Sequence, residues 1–516
     1  MTIFYQAGRK PFSKHLKRRI FMRKIISILV IIPMALLLAA GCDGKDDTGG
    51  NSRGSSESAL ESSVSNGSGG DETSSVESNN ASGENSKGGT NSKTNSAQGK
   101  STTQNNSSVS SKATGKSTIK IASSWAETWY NQPKGKKVYS DLMANVFSAV
   151  QKKYGIKIQV SALDTTNLDI IIRAINAGSA PYDLLELQTA SARRLALKNA
   201  LFDQKKLTKL NLNASAFSSG KALGEALTFN GKQYASAFGY PYSSVTGVFV
   251  NTTVLKKYGQ PDVQTLVGNG TWNFNQYRTI AKNVKDKSNG AVWGTANSTN
   301  IVGMAFTANA GGTIVRKNGN YEISMLSQDG IDAAKWIQDM YVTDKSFNYM
   351  SSGLRGAMDF FAQGKAAFVP SFLEFGDSLM EMKDDYTFVP FPKGFKKTAY
   401  TNGVYSGKMF AIPSTAKEAQ FIGQIYSEIA EKANSGITAM YKQYLIDRGM
   451  DSKGIAIAMD MAKYMTPDFA VGVDVSNLDP KINGAIFNAN GNIASVFASI
   501  TSLFESKVDE YYGNYR

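Results

Sequence analysis

Between Thr118 and Leu187 the apolar residues switch period four times within 70 residues. Thr118-Ile-Lys-Ile-Ala122 alternates. Val138 to Tyr154 has helical spacing and stops at Gly155, and Ile156-Lys-Ile-Gln-Val160 alternates again. Leu168, Ile171, Ile172 and Ile175 then fall at i, i+3, i+4 and i+7 of a segment from Asn167 to Gly178. Pro181 precedes the apolar run Tyr182-Asp-Leu-Leu-Glu-Leu187. Alternation marks a half-buried strand, and 3.6-residue spacing marks an amphipathic helix closed by its following Gly. Strand, helix, strand, helix, strand predicts a parallel α/β sheet. Ligands of such sheets bind beyond the carboxyl ends of the strands. Those ends are Ser123-Ser-Trp-Ala-Glu127 and Glu186-Leu-Gln-Thr189.

A second region follows. Val245 to Asn251, Ala366 to Val369 and Asp385 to Phe391 read as strands. Leu255 to Tyr258, Phe274 to Val284 and Ile331 to Tyr341 read as helices, and helices dominate from about Ala416 to Lys463. Gly311-Gly312 lacks the Lys and the spacing of a phosphate loop.

The amino-terminal 117 residues have a different composition. The first 24 carry Arg9, Lys10, Lys14, Lys17, Arg18, Arg19, Arg23 and Lys24 and no acid, and Ile25 to Ala40 is a 16-residue uncharged, almost wholly aliphatic run. A basic start, a short apolar run and small residues describe a secretory signal at 1–41. The run is short for a spanning helix, which needs about 20 residues. A transmembrane anchor is the alternative, and Met22 is an alternative start with Arg23-Lys24 as its basic region. Residues 43–117 are Ser, Asn, Gly, Thr and Lys with almost no aliphatics and no aromatics. Such a segment cannot bury enough apolar surface to offset its ordering entropy. It reads as a tether spanning on the order of 50 Å as a random coil. Residues 118–516 remain, 399 in all, enough for two domains.

Charge and reactive side chains narrow the function. Of the net +15, the leader holds eight bases, while the tether holds seven bases and nine acids, which leaves +9 on the folded part. Its lysines are scattered, without an Arg-rich stripe or nucleic-acid motif, so no nucleic-acid partner is expected. The single His is His15, in the leader. Beyond it, His-based nucleophile systems and His-containing metal sites are excluded, and neither metal nor cofactor is expected. Cys42 is the only thiol, so no intramolecular disulfide forms.

Ala39-Ala40-Gly41-Cys42 resembles the bacterial lipobox, with Ala39 where Leu is usual. The resemblance implies cleavage before Cys42, a thioether to diacylglycerol on its sulfur, and an acyl chain such as palmitate on its amine. Two chains would make the anchoring stable. The folded part resembles the extracellular solute-binding proteins of carbohydrate importers, the broad family containing maltose-binding protein. The resemblance is carried, in this order, by "PYDLLELQTASARRLALKNAL", "LTFNGKQYASAFGYPYSSVTGVFVNTTVLKKYG", "GTWNFNQYRTIAK", "FAQGKAAFVPSF" and "FVPFPKG". It implies an α/β, two-lobed periplasmic-binding-protein-like fold of type II, with a ligand cleft between lobes joined by hinge strands. The first lobe is placed at about 118–237 plus 376–425, and the second at about 238–375 plus part of the C-terminal helices. It also implies a monomeric, non-enzymatic protein at the outer face of the cell membrane that hands a sugar or oligosaccharide to ABC permease subunits.

Sugars present hydroxyls and apolar ring faces, so a site needs flat aromatic surfaces and polar groups together. The expected ligand residues are Trp125 and Glu127 after the first strand, Glu186 and Gln188 at the end of the third, Tyr242 at the crossover, and Phe372, Glu374 and Phe375 where the family stacks an aromatic on sugar. Trp129, Tyr130, Tyr240, Trp293, Asn297 and Asn300 are weaker candidates. Trp272 and Trp336 read as core. Two alternatives stay open: a secreted glycosidase working through two carboxylates, and a sugar-sensing protein not coupled to transport.

Overall fold

The computed structural model describes residues 115–513 apart from 180, 405–406, 471–472 and 474–478. The expected signal, Cys42 and nearly all of the tether lie outside the described residues. Nine strands build the two larger sheets: β1 (Thr118–Ser123), β2 (Lys157–Ala162), β3 (Leu184–Gln188), β4 (Thr246–Asn251), β5 (Trp293–Asn297), β6 (Phe347–Tyr349), β7 (Ala366–Phe372), β8 (Tyr386–Val389) and β9 (Lys408–Ala411).

The first sheet has the order β9-β3-β1-β2. β1 pairs in parallel with β2 and β3, and β9 pairs antiparallel with β3. The crossovers are α1 (Val138–Tyr154) and α2 (Leu168–Asn176), and α3 (Thr189–Leu197) leaves β3 directly. Strand alternation divides the packing. Ile119, Ile121, Leu184 and Phe410 share one core with Met143, Val146 and Val150 of α1. Ala122, Leu185 and Leu187 share the other with Leu168, Ile172 and Ile175 of α2.

The second sheet has the order β6-β5-β7-β4-β8. β5 is parallel to β6 and β7, while β4 runs antiparallel to β7 and β8. Helices α4 (Phe274–Lys287), α5 (Asn300–Ala310), α6 (Gln328–Gln338) and α7 (Gly353–Ala362) connect these strands. Asn273 opens α4 by accepting from the Gln276 amide at 3.1 Å. Trp272 and Trp336 are fully buried; their indole N–H groups donate to Pro390 O at 2.9 Å and Phe274 O at 3.0 Å.

The chain crosses between the sheets at 236–245 and again between β8 and β9. It crosses a third time along α8 (Ala419–Asp447), whose first half packs on the first sheet while Leu445 belongs to the core of the second. This corrects the expected lobe boundary. Residues 376–425 were assigned whole to the first lobe, yet β8 pairs with β4 in the second sheet and the chain returns only at β9. Alternation identified β8 as a strand, but its partner lies more than a hundred residues earlier. α6 also starts three residues before the expected Ile331, because Ser327 accepts from the Gly330 amide and begins the helix there.

Gly294 in β5 lies where a Cβ would fall on the Ala281 carbonyl of α4. Gly294→Ala is expected to cost about 1–3 kcal/mol by forcing helix from sheet. Thermal unfolding should show a fall in Tm of several degrees, at about 2–4 °C per kcal/mol.

Candidate functional site

A cavity of about 610 Å³ is lined from both sheets and from the crossing segments between them. Its first wall grows from the carboxyl ends of β1 and β3. Beyond β1, Trp125 donates its amide to Ser123 Oγ at 3.0 Å, and a wide turn over Ala126–Tyr130 closes with Asn131 N on Ala126 O at 2.9 Å. That turn swings Trp125 and Trp129 over the sheet end. Register sets the polar groups: Ser123 lies opposite Glu186, and Lys408 lies opposite Gln188. Alternation then puts Glu186, Gln188 and Lys408 on one face.

Lys408 occupies an aromatic box. Its Nζ lies 3.9 Å from the centre of the Trp129 ring, 5.0 Å from Trp125 and 5.5 Å from Tyr139. Cation–π attraction of this kind contributes about 0.5–2 kcal/mol, most where water is excluded. Desolvation still pulls the Lys408 amine below its ordinary value, opposed by the charges of Glu186 and Glu374. Glu186 is fully buried. Its Oε2 accepts from Ser123 Oγ, while Oε1 has no hydrogen-bond partner. Burial raises its carboxyl above the usual carboxylate range, against the lowering effects of Lys408, Ser123 and Tyr130. A buried acceptor without a partner is costly, and Glu186 is among the residues that line the cavity.

The opposite wall follows β7. Phe372 and Phe375 are half-buried, and Glu374 and Asp377 are exposed to the cleft. Arg355 of α7 lies beside them. Asp377 pairs with Arg448 and accepts from Tyr444 Oη at 2.5 Å. Its carboxyl is pushed up to about 6, chiefly by desolvation. Glu374 is raised as well, again mainly by desolvation. The crossing segments close the third side. Tyr242 stacks on Tyr441 of α8 with ring centres 4.4 Å apart and meets Tyr444 edge-on at 5.5 Å. Tyr240 Oη donates to Ala458 O at 2.5 Å. Among the described residues, no group of three or more metal-binding side chains is placed to hold a metal ion.

The structure brings Trp125, Glu186, Gln188, Tyr242, Phe372, Glu374 and Phe375 together around this one cavity. Glu127 is the correction. It sits on the outer side of the wide turn, exposed, with Oε1 accepting from Asn131 Nδ2 at 2.8 Å, and it does not line the cavity. Two positions after Trp125, the turn has rotated it outward. Trp129, Tyr130, Tyr240 and Asn297 divide in the same way. Trp129 and Tyr240 line the cavity, Tyr130 stands behind it bonded to Tyr139 at 3.3 Å, and Asn297 is spent on Pro370 O. Sequence reasoning missed Lys408, Arg355, Asp377, Tyr441 and Tyr444. The last two sit at i and i+3 of a long helix, a spacing indistinguishable from core. Lys408 stood in no recognised element.

A two-sheet fold with a cleft at the strand ends, walled by both sheets, defines a ligand-binding protein. Residues 132–432 match the family model described as bacterial extracellular solute-binding protein. The chain therefore belongs to that family, whose members are binding proteins acting outside the cytoplasm. Its periplasmic-binding-protein-like fold recurs in three solved structures. Mycobacterium tuberculosis UspC is 14% identical, with a TM-score of 0.57 over 76% of this chain and 100% of that one. UgpB from Mycobacterium tuberculosis, in complex with glycerophosphocholine, is 15% identical, with a TM-score of 0.54 over 77% and 99%. The maltose-binding periplasmic protein MalE from Listeria monocytogenes, in complex with maltose, is 15% identical, with a TM-score of 0.54 over 77% and 99%. No curated protein matched the sequence. None of the described helices is long and apolar enough to cross a membrane.

The raised Glu186 carboxyl fixes a pH dependence. The folded chain holds this proton more tightly than the unfolded chain, whose Glu titrates near 4.3, so the residue's contribution to stability falls as pH rises through that value towards the folded one. Relative to Glu186→Gln, the wild type should therefore lose Tm as the pH rises above about 4. A difference that stays flat over that rise, measured by thermal unfolding, contradicts the assignment.

Proposed function

We propose that this protein captures a saccharide in the cleft between two lobes and delivers it to the permease subunits of an ATP-driven importer. The observation that carries the reading is the lining of the cavity. Flat rings from both sides (Trp125 and Trp129 against Phe372 and Phe375) stand beside polar groups with bonding capacity to spare, above all Glu186 Oε1 and Gln188. Sugar rings ask for that combination. Maltose in the similar fold of the Listeria protein agrees with it.

On this reading Trp125, Gln188, Phe372 and Phe375 contact the sugar faces and hydroxyls, while Glu186 and Glu374 accept from hydroxyls. Tyr242 supports Tyr441 as a third platform. Glu127 has no part. The first lobe comprises the sheet of β1, β2, β3 and β9 with the first half of α8. The second comprises the sheet of β4 to β8 with the C-terminal helices. Ligand binding closes the two about the crossing segments, the behaviour of hinged binding proteins. Residues 1–41 are a signal peptide, Cys42 carries the lipid, and 43–117 hold a monomeric binding unit off the outer face of the cell membrane.

Calorimetry against mono- and oligosaccharides tests the function. At least one saccharide should bind, and Trp125→Ala should weaken it about tenfold, the loss of one aromatic platform worth about 1.5 kcal/mol. Binding of a peptide or an inorganic ion with no response to any saccharide contradicts the reading. Turnover of chromogenic glycosides that is lost on Glu374→Gln favours a glycosidase instead.

A further inference from the structure

Two cavities share Phe372 as a wall. One is the cleft, and the other is a chamber of about 300 Å³ inside the second lobe. The chamber stands at the carboxyl ends of the parallel pair β5 and β7, where open α/β sheets place their ligands. Asn297 ties together the strand ends beside it. Its Nδ2 donates to Pro370 O at 2.5 Å and its Oδ1 accepts from the Ile301 amide at 3.2 Å, which locks the end of β5 to β7 and to the start of α5.

The lining changes character with exposure. Its polar side chains, Thr299, Asn300, Thr313 and Asn483, are half-buried or exposed. Inside stand Met304, Phe306, Met325, Ile482 and Phe504, all buried, the last two from α9 (Asp479–Ile486) and α10 (Ile493–Tyr512). A lining whose buried side chains are all apolar offers a second sugar ring few partners, and its hydroxyls would lose bonds to water without full replacement. Such a lining suits a hydrocarbon group. Phe372, half-buried and resting on Phe375 with ring centres 6.3 Å apart, is the only lining residue that the two cavities have in common among the described residues.

We propose that the chamber receives the hydrophobic aglycone of the ligand, so that the protein selects a glycoside carrying a short alkyl or aryl group over the bare sugar. Phe372 is the partition that turns to admit it. The link to sugar rests on the function proposed above, whereas the chamber's affinity for hydrocarbon does not.

Methyl-labelled methionine and indole NMR separate the two sites, since Met304 and Met325 line the chamber, no methionine lines the cleft, and Trp125 and Trp129 line the cleft alone. Titration with 1-hexanol should shift and saturate the Met304 and Met325 methyl signals and leave both indoles in place. Val302, buried on α5, also lines the chamber, and Val302→Phe, which narrows it, should abolish the shift. Failure of hexanol to move either methionine overturns the proposal, whatever the variant does. Below its micelle concentration, octyl glucoside should move both sets of signals and bind about tenfold or more tighter than methyl glucoside, which moves the indoles only. Equal affinities of the two glycosides overturn the aglycone role. Methionine shifts with hexanol but no indole shift with any glycoside or saccharide would leave the chamber standing and count against the sugar-binding function.

Discussion

The antiparallel pairing of β9 with β3 is the contact on which the rest of the site depends. It returns the chain from the second sheet to the first and sets Phe410 opposite Glu186 and Lys408 opposite Gln188. It also anchors the crossing at 236–245, because Ser236 and Phe410 exchange backbone hydrogen bonds of 3.1 and 2.8 Å. Without this register, Lys408 would not enter the box of Trp125, Trp129 and Tyr139, and Glu186 would be a buried carboxylate with no cation nearby. One strand of four residues thus fixes the first wall of the cleft and one of the three connections between lobes.

The site is held in a state of partial satisfaction. Glu186 keeps one oxygen on Ser123 and leaves the other bare, while Lys408 gains ring faces in place of water and loses part of its affinity for a proton. On the opposite wall, desolvation raises Glu374 and Asp377. On the proposed function, a ligand that supplies a donor or acceptor would stabilise each of these groups. The aromatic groups of the crossing segments act otherwise. Tyr240 and Tyr242 are buried and committed to Ala458 and Leu373, so they fix the hinge region and present little face to a ligand.

The first parallel unit was legible in the sequence because its signals are local. Ile172 and Ile175 announce α2, and the even residues of β3 announce a face that holds Glu186. Trp125 and Gln188 could be placed at this cavity because they follow strands read in the sequence, and Phe372 because the family resemblance implies an aromatic there. The remainder depends on pairing across distance. Nothing within Lys408-Met-Phe-Ala411 says that it joins a strand two hundred residues earlier, so both Lys408 and the true lobe boundary escaped. Glu127 failed for the opposite reason. Its place was inferred from its following the first strand, but the wide turn after β1 buries Ala126 and carries Glu127 to the surface.

The central claim is that the cleft holds a carbohydrate outside the cell. The most direct measurement is native mass spectrometry of the protein isolated from its own cells, followed by release of whatever is bound. A saccharide or glycoside mass is expected, lost together with the complex when Trp125 is replaced by Ala. A released peptide, amino acid or metal ion in its place would contradict it.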